Sequence, residues 1–274
     1  MNLKFFCPRW GSENLNWDDF LQKVKSAGYS GIEYAIANES TPEELSQVWE
    51  KVEKYGLEVI PQHYGTYEAD FPKHYDTFAA WFEKIRPFKA LKIDSQTGKD
   101  FFTFEQNKQL IDLTVDYTKS SGVEVYHETH RNKFAFAAHI TKEYLTRIPY
   151  LKLTLDVSHW VNVAESFLED QEEAMALAIS RTEHIHARVG YPEGPQVPDP
   201  RVPEWQEALN THLAWWDKII ELKRQANQAV FTITPEFGPY PYMVSLPFTR
   251  QPITDQWEVN VYMMNLLRER YQSV

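Results

Sequence analysis

The sequence has few of the features that mark cross-linked, secreted or membrane-spanning proteins. Cys7 is the only cysteine among 274 residues, so an internal disulfide is excluded, and with it a small scaffold held together by disulfides. No apolar run approaches the roughly 20 residues of a membrane-spanning helix, and the opening MNLKFFCPRW is too short and too interrupted for a signal peptide. These absences predict a cytoplasmic protein without membrane contact.

Basic residues are also in the minority. The chain carries 28 lysines and arginines against 39 aspartates and glutamates, a formal net charge of −11. Proteins that bind nucleic acid ordinarily carry excess positive charge, because their affinity comes from neutralising phosphates. We therefore expect no nucleic-acid partner. The aromatic content of 15%, with 9 tryptophans, instead suits a pocket that stacks on the faces of a small sugar or polyol.

Glycine is sparse, with 10 residues, and neither the glycine-rich dinucleotide-binding fingerprint nor the phosphate-loop motif occurs. Their absence disfavours the open-sheet nucleotide-binding folds. Repeats of short period, low-complexity tracts and shifts of composition are absent as well, which predicts a single domain over residues 1–274.

Short β-like runs alternate with longer amphipathic runs along the whole chain. The predicted strands start 26 to 45 residues apart, at 3–6, 31–35, 57–63, 90–94, 123–128, 151–156, 184–188 and 229–236. Helical patterns between them include 17–27, 42–55, 104–120 and 165–181. Each step has the size of one strand with its crossover helix, and eight such units predict an α/β fold, a closed (β/α)8 TIM barrel.

The carboxyl ends of the strands carry the residues of chemical interest, because the active site of such a barrel lies there. Six of the nine histidines fall in segments that end strands 3, 5, 6 and 7. Successive strand residues face opposite sides, and the apolar set must face the helices, so the polar set points into the barrel. By this alternation, four side chains point inward from strands 5 to 8: Glu128, Asp156, His186 and Glu236.

These four residues predict a metal site. Three carboxylates in one poorly hydrated cavity repel each other unless a cation holds them. Three oxygens and one imidazole suit Mn²⁺, Mg²⁺, Co²⁺ or Zn²⁺, so we expect one divalent ion bound by the four side chains. Taken singly, an acidic residue at a strand end is as compatible with a helix cap as with a ligand, and only the convergence of all four indicates a metal.

Other residues at strand ends are candidates for substrate contact: His63, His159, Arg188, Glu33 and Trp10. Loop capping is an equal alternative for His63, and core packing is the safer interpretation for Trp10. His127 lies on the opposite strand face from Glu128 and is expected to be structural.

The strand ends resemble those of the xylose isomerase-like TIM barrel superfamily, which includes sugar isomerases, ketose 3-epimerases, inosose dehydratases and metal-dependent apurinic endonucleases. The most specific element is Leu-Asp-Val-Ser-His at 155–159, which matches an Asp-x-x-His after strand 6, and His-Ile-His on strand 7 and the glutamate closing strand 8 match as well. The resemblance covers the whole chain. It implies that the four inward residues bind the metal, that His159 binds substrate, and that Glu128 and Glu236 are also the catalytic acid–base pair.

The chain departs from two branches of that superfamily. Many epimerases carry an acidic residue and an arginine shortly after the strand 7 histidine, where this chain reads Arg-Val-Gly-Tyr at 188–191. The endonuclease branch completes a three-zinc cluster with an Asp-x-His after strand 7, and here Arg201 follows Asp199 where the histidine would stand. The second departure argues against a cluster of three metals.

These observations predict a metal-dependent isomerase or epimerase of a sugar or sugar derivative. Glu128 or Glu236 would take a proton from the carbon beside a carbonyl, and another group would return it through an enediolate. Two alternatives stay open, an endonuclease-type metal phosphodiesterase and a sugar-binding or dehydratase protein of the same superfamily that does not isomerise. The partner is a small sugar or polyol, and a homo-oligomer is compatible with the sequence.

Overall fold

The computed structural model describes residues 1–272, and its eight strands run parallel to one another. The strands are β1 (Asn2–Pro8), β2 (Gly31–Ala35), β3 (Glu58–His63), β4 (Ile93–Ser95), β5 (Val125–Glu128), β6 (Leu153–Leu155), β7 (Thr182–His186) and β8 (Val230–Thr234). They pair in chain order, and β1 also pairs with β8, which closes the sheet into a barrel. The predicted (β/α)8 barrel is therefore confirmed, and each strand overlaps its predicted segment.

Helices surround the barrel. Those of residues 1–272 are α1 (Trp17–Ala27), α2 (Pro42–Lys54), α3 (Phe71–Ile85), α4 (Phe104–Ser121), α5 (Ala138–Arg147), α6 (Val157–Ala164), α7 (Glu172–Arg181), α8 (Gln206–Gln225) and α9 (Gln256–Gln272). Over the same residues, none of these helices is long and apolar enough to cross a bilayer.

Local signals in the sequence set several helix ends. Thr41 and Glu44 form a capping box at the start of α2, in which each side chain accepts a hydrogen bond from the other residue's backbone N–H. Helix α1 is capped at its carboxyl end by Gly28, whose φ of 88° is left-handed and suits glycine best.

One predicted helix is wrong. The sequence pattern over 165–181 suggested a single helix, but the structure has α7 only over Glu172–Arg181, and the shorter α6 precedes it. Glu165 and Leu168 adopt positive φ values of 49° and 61°, which a continuing helix does not allow. Helix α6 begins where strand 6 was expected to end, because the Asp156 carboxylate accepts a hydrogen bond from the Ser158 N–H and so caps it.

The two faces of the strands carry different residues, as the alternation predicts. On β7 and β8, Ile185, Phe231 and Ile233 belong to the apolar core between strands and helices. The neighbouring His184 and Thr232 point into the barrel instead, where the His184 ring contacts the Thr232 hydroxyl. The barrel interior is thus lined by polar and ionisable groups, while apolar packing lies outside it.

Candidate metal and substrate site

The four residues predicted as metal ligands come together at the carboxyl end of the barrel. Glu128 ends β5, Asp156 follows β6, His186 ends β7, and Glu236 follows β8. One nitrogen or oxygen atom from each lies within 4.8 Å of those from the other three, and all four residues are buried. The alternation argument placed these side chains correctly.

Two atoms of this cluster are buried without a hydrogen-bond partner, Oε1 of Glu128 and Nδ1 of His186. They lie 3.6 Å apart, and Nδ1 also lies 3.0 Å from Oε2 of Glu236 without hydrogen-bond alignment. An unsatisfied buried polar atom is costly, so atoms of this kind in a native fold mark a place where a ligand or ion belongs.

Asp156 already has protein partners on both oxygens. Oδ1 accepts from the backbone and hydroxyl of Ser158 at the start of α6, and Oδ2 forms an ion pair with Nη2 of Arg188. The same Nη2 lies 2.7 Å from Nε2 of His159 and 3.7 Å from Oε2 of Glu236. Arg188 is only 1% exposed, and its charge is matched within the protein.

The two glutamates are perturbed in opposite directions. Burial raises the pKa of Glu128, and the nearby Glu236 and Asp156 carboxylates raise it further against the opposing effect of His186. Burial acts on Glu236 in the same direction, but His186 and Arg188 outweigh it and hold the pKa of Glu236 below its ordinary value. Pairs of carboxyl groups separated in this way are typical of acid–base sites.

The cluster fits a divalent cation. Five carboxyl groups are buried in this end of the barrel, those of Glu33, Asp94, Glu128, Asp156 and Glu236, and the basic side chains of Arg188 and His186 lie among them. Two ligands on opposite sides of a metal ion lie about 4–5 Å apart, which agrees with the separation of the four ligand atoms. The donor set of three carboxylates and an imidazole, with two donors lacking partners, suits such an ion.

A cavity of about 700 Å³ opens above the cluster. Glu128 and Glu236 line it together with Gln62 and Arg188, whereas Asp156 and His186 are not among its lining residues. Much of the remaining lining is aromatic, formed by Trp10, Trp17, Tyr34, Tyr64, Tyr67 and Tyr242.

The loops at the cavity mouth are fastened to one another. Gln196, from the loop after β7, bonds both the N–H and the C=O of Gly238, which follows β8. The Trp10 ring lies so close to Gly238 that a Cβ there would overlap it, so glycine is required. Trp10 also meets the Tyr242 ring edge-on, with centroids 5.2 Å apart. Trp10 therefore lines the cavity and packs against its rim at once.

Three predicted substrate contacts need correction. His63 points outward, with its ring against Phe78 and Trp81 and its Nε2 2.7 Å from the Thr66 hydroxyl. The alternation of β3 already places His63 on the apolar, outward face. Its bond to Thr66 agrees with the alternative of loop capping and not with contact to substrate. The other two do not line the cavity. Glu33 contacts histidines inside the barrel, and His159 contacts Arg188 while its ring lies tilted against that of His130, with centroids 3.9 Å apart.

Two inward residues of the site, Gln62 and Asp94, are missing from the set predicted from the sequence. Nε2 of Gln62 lies 3.2 Å from Asp94, 3.5 Å from Glu128 and 3.3 Å from Glu236, so one amide joins three carboxyl groups. The signal that would have found both is the alternation on β3 and β4, which sends Gln62 and Asp94 inward. His127 is outward as expected, with its Nδ1 2.7 Å from the Thr97 hydroxyl.

The segment that resembles an endonuclease ligand loop takes no part in the cluster. Arg201 forms a two-point ion pair with Asp199, in which Nη2 lies 2.7 Å from Oδ2. Arg201 also lies 3.9 Å from Glu258 at the start of α9.

Comparison with known proteins identifies the fold and no closer relationship. No protein-family model matches the chain, and no curated protein matches it in sequence. A probable 3-DHS dehydratase, AsbF, from Bacillus anthracis superposes with a TM-score of 0.59 at 17% identity, over 98% of this chain and all of that one. A family 2 AP endonuclease from Brucella melitensis gives 0.58 at 8% identity, over 96% and 98% of the two chains.

A sugar phosphate isomerase/epimerase from Parabacteroides distasonis superposes with a TM-score of 0.56 at 12% identity, over 97% of this chain and 93% of that one. All three are xylose isomerase-like TIM barrels, so the resemblance inferred from the strand ends is confirmed at the level of the fold. Identities this low leave the chemistry to be argued from the site.

Proposed function

We propose that this protein is a metal-dependent isomerase or epimerase of a sugar or sugar derivative. The observation that carries the proposal is the division of the four-residue cluster. All four side chains can reach one cation, but only Glu128 and Glu236 also line the cavity in which a substrate would lie. Two carboxyl groups exposed to the substrate are what proton abstraction and return require.

A divalent ion held by Glu128, Asp156, His186 and Glu236 would polarise a substrate carbonyl and its neighbouring hydroxyl, which acidifies the C–H bond between them. Glu236 lies beside His186 and Arg188, which favour its ionised form, and it takes the proton from carbon. Glu128, on the other side of the cluster, supplies a proton to the opposite end of the resulting enediolate. Gln62 holds both carboxyl groups in place through its amide.

The aromatic wall would hold the non-reacting part of the substrate. Sugars present apolar C–H faces that pack on aromatic rings, and Trp10 and Tyr64 line the same cavity as the two glutamates. Arg188 reaches the cavity but is paired with Asp156, so it suits hydrogen bonds to a hydroxyl better than the capture of a free anionic group. This favours a neutral reacting sugar ring or chain.

The phosphodiesterase alternative is disfavoured by the ion pair of Arg201 and by the net charge of −11. We propose that the protein does not bind DNA appreciably at physiological salt, and salt-sensitive binding tighter than about micromolar would contradict this. A dehydratase begins with the same proton abstraction as an isomerase, so it belongs among the outcomes of the test.

The decisive experiment combines metal analysis of the purified protein with solvent exchange. We expect one divalent ion per chain and incorporation of deuterium from D₂O into one of a panel of ketoses and inositol-like cyclic polyols. Two or three ions per chain would favour the phosphodiesterase. Deuterium exchange with loss of water from the substrate would identify a dehydratase, and bound sugar without exchange would leave a binding protein.

A further inference from the structure

Glu33 is a buried carboxyl group at the middle of β2 that contacts two histidines of β7. Oε1 lies 3.0 Å from Nε2 of His186, and Oε2 lies 3.3 Å from Nε2 of His184. The Thr234 hydroxyl also donates to Oε2. Glu33 is 2% exposed and does not line the cavity, so its contacts are with the protein alone.

The contact with His186 decides which ring nitrogen carries the proton. An ionised carboxylate only accepts hydrogen bonds, so Nε2 must be the donor in the 3.0 Å bond to Glu33. In the neutral ring, Nδ1 then keeps its lone pair. That lone pair faces Glu128 and Glu236, and Nδ1 has no hydrogen-bond partner of its own.

A hydroxyl of β8 keeps Glu33 from turning. Nδ1 of His184 lies 3.0 Å from the carbonyl oxygen of Thr232, which can only accept, so His184 donates to β8 through that nitrogen and its neutral ring has no proton on Nε2. The Thr234 hydroxyl is therefore the donor that holds the second oxygen of Glu33. Both oxygens are thus committed, and the one that faces His186 has a fixed direction.

We propose that Glu33 is a positioning residue that keeps the proton of His186 on Nε2 and thereby presents Nδ1 as the nitrogen ligand of the metal. The inference rests on the proposed metal site and adds a residue outside its ligand set. A metal-bound histidine is ordinarily oriented by a hydrogen bond from its other nitrogen, and loss of such a partner typically costs about 10–100-fold in metal affinity.

The test measures Cd²⁺ binding by calorimetry and by NMR of protein labelled with ¹⁵N in histidine and loaded with ¹¹³Cd²⁺. In the unmodified protein we expect coupling of cadmium to Nδ1 of His186, and a slowly exchanging proton on Nε2. Glu33→Ala should weaken Cd²⁺ binding about 10–100-fold and speed exchange of that proton. Glu33→Gln retains an oxygen that can accept from Nε2, so it should keep the slow proton and lose less affinity than Glu33→Ala.

Thr232→Val is the matched control, because it removes a hydroxyl contact of His184 and leaves the bond between Glu33 and His186 intact. It should bind Cd²⁺ within about threefold of the unmodified protein. Coupling of cadmium to Nε2 of His186 would overturn the role of Glu33 and leave the metal site in place. The same conclusion would follow if Glu33→Ala bound Cd²⁺ with unchanged affinity and exchanged the Nε2 proton at an unchanged rate. Failure of the unmodified protein to bind Cd²⁺ overturns both.

Discussion

The two sides of the cavity satisfy their charges by different means. On the side of β5 to β8, carboxyl groups face Arg188 and His186, and the contacts are ion pairs and hydrogen bonds. On the side of β1 to β3, the walls are aromatic, and the Arg9 guanidinium lies 4.5 Å from the ring centroids of both Trp17 and Phe20. In the proposed function, the first side holds the groups that move protons, and the second offers shape and apolar surface. We therefore expect that mutations can affect reaction and substrate recognition separately.

Removal of metal should have the largest effect on activity, and this effect should arise on the carboxylate side of the cavity, between β5 and β8. After dialysis against a chelator we expect deuterium exchange to fall to background, because the clustered carboxylates then have no cation and repel each other. Adding metal back at 100 times its dissociation constant should raise the free energy of unfolding by about 2.7 kcal/mol. Thermal unfolding with and without metal measures this. Deuterium exchange that continues after chelation would contradict the proposed metal dependence.

Glu128→Gln and Glu236→Gln should come next, with proton exchange lowered by about 10²-fold or more while some metal remains bound. Glutamine keeps the size and one coordinating oxygen of glutamate but not its basic oxygen. Exchange rates at saturating substrate, with metal content measured on the same samples, test this. Near-normal exchange in both variants would leave the glutamates as ligands only. His159→Ala is the comparison, because it removes a neighbour of Arg188 and should weaken substrate binding without abolishing exchange.

Tyr64→Ala probes the recognising side. Loss of one ring from the cavity wall should raise KM about tenfold and leave kcat nearly unchanged, because the lost contact is the same in the ground and transition states. Steady-state kinetics on the identified substrate measure the two constants. Tyr150→Ala is a suitable control, since Tyr150 is exposed on the outside of the barrel and bonds Asp112. A fall in kcat with unchanged KM would mean that the two sides are not separable.

His63→Gln should have the smallest effect on activity, within about twofold, because its ring packs outside the barrel wall. Stability should fall by about 1–3 kcal/mol, since the change disturbs buried contacts to the Thr66 and Ser95 hydroxyls. Denaturant unfolding measures the loss of stability, and a deuterium-exchange assay on the same variant measures its activity. A large loss of exchange in a folded His63→Gln protein would restore the predicted contact with substrate.

Strand alternation explains how much of the site could be predicted from the sequence. It placed His186 and Glu236 correctly because β7 and β8 each have a clear apolar face, and Glu128 because Val125 packs in the core on the other face of β5. His63 lies on the outward face by that same alternation, and only its residue type suggested a contact with substrate. Gln62 points inward, but an amide suggests no chemistry by itself. The contacts of Glu33 could not be predicted, because the two histidines that it contacts are 151 and 153 residues away in the chain.

The helix after β6 shows a different limit. Asp156 directly follows β6, caps α6 and forms an ion pair with Arg188. Sequence patterns assign a residue to one element at a time, and the apolar residues of α6 read equally well as the end of a buried strand. The break between α6 and α7 depends on positive φ at Glu165 and Leu168, residue types that rarely adopt it.

The contacts that join Trp10, Gln196 and Gly238 bear on how this barrel can acquire new substrates. These residues come from the loops after three different strands, and each holds the next through a ring contact or a pair of backbone hydrogen bonds. A replacement of any one loop leaves an unpaired amide or an overlapping ring in the other two. Libraries that exchange single loops should therefore yield mostly variants in which the loops around the cavity entrance are misfolded. We expect changes of specificity to come from exchanging the three segments together.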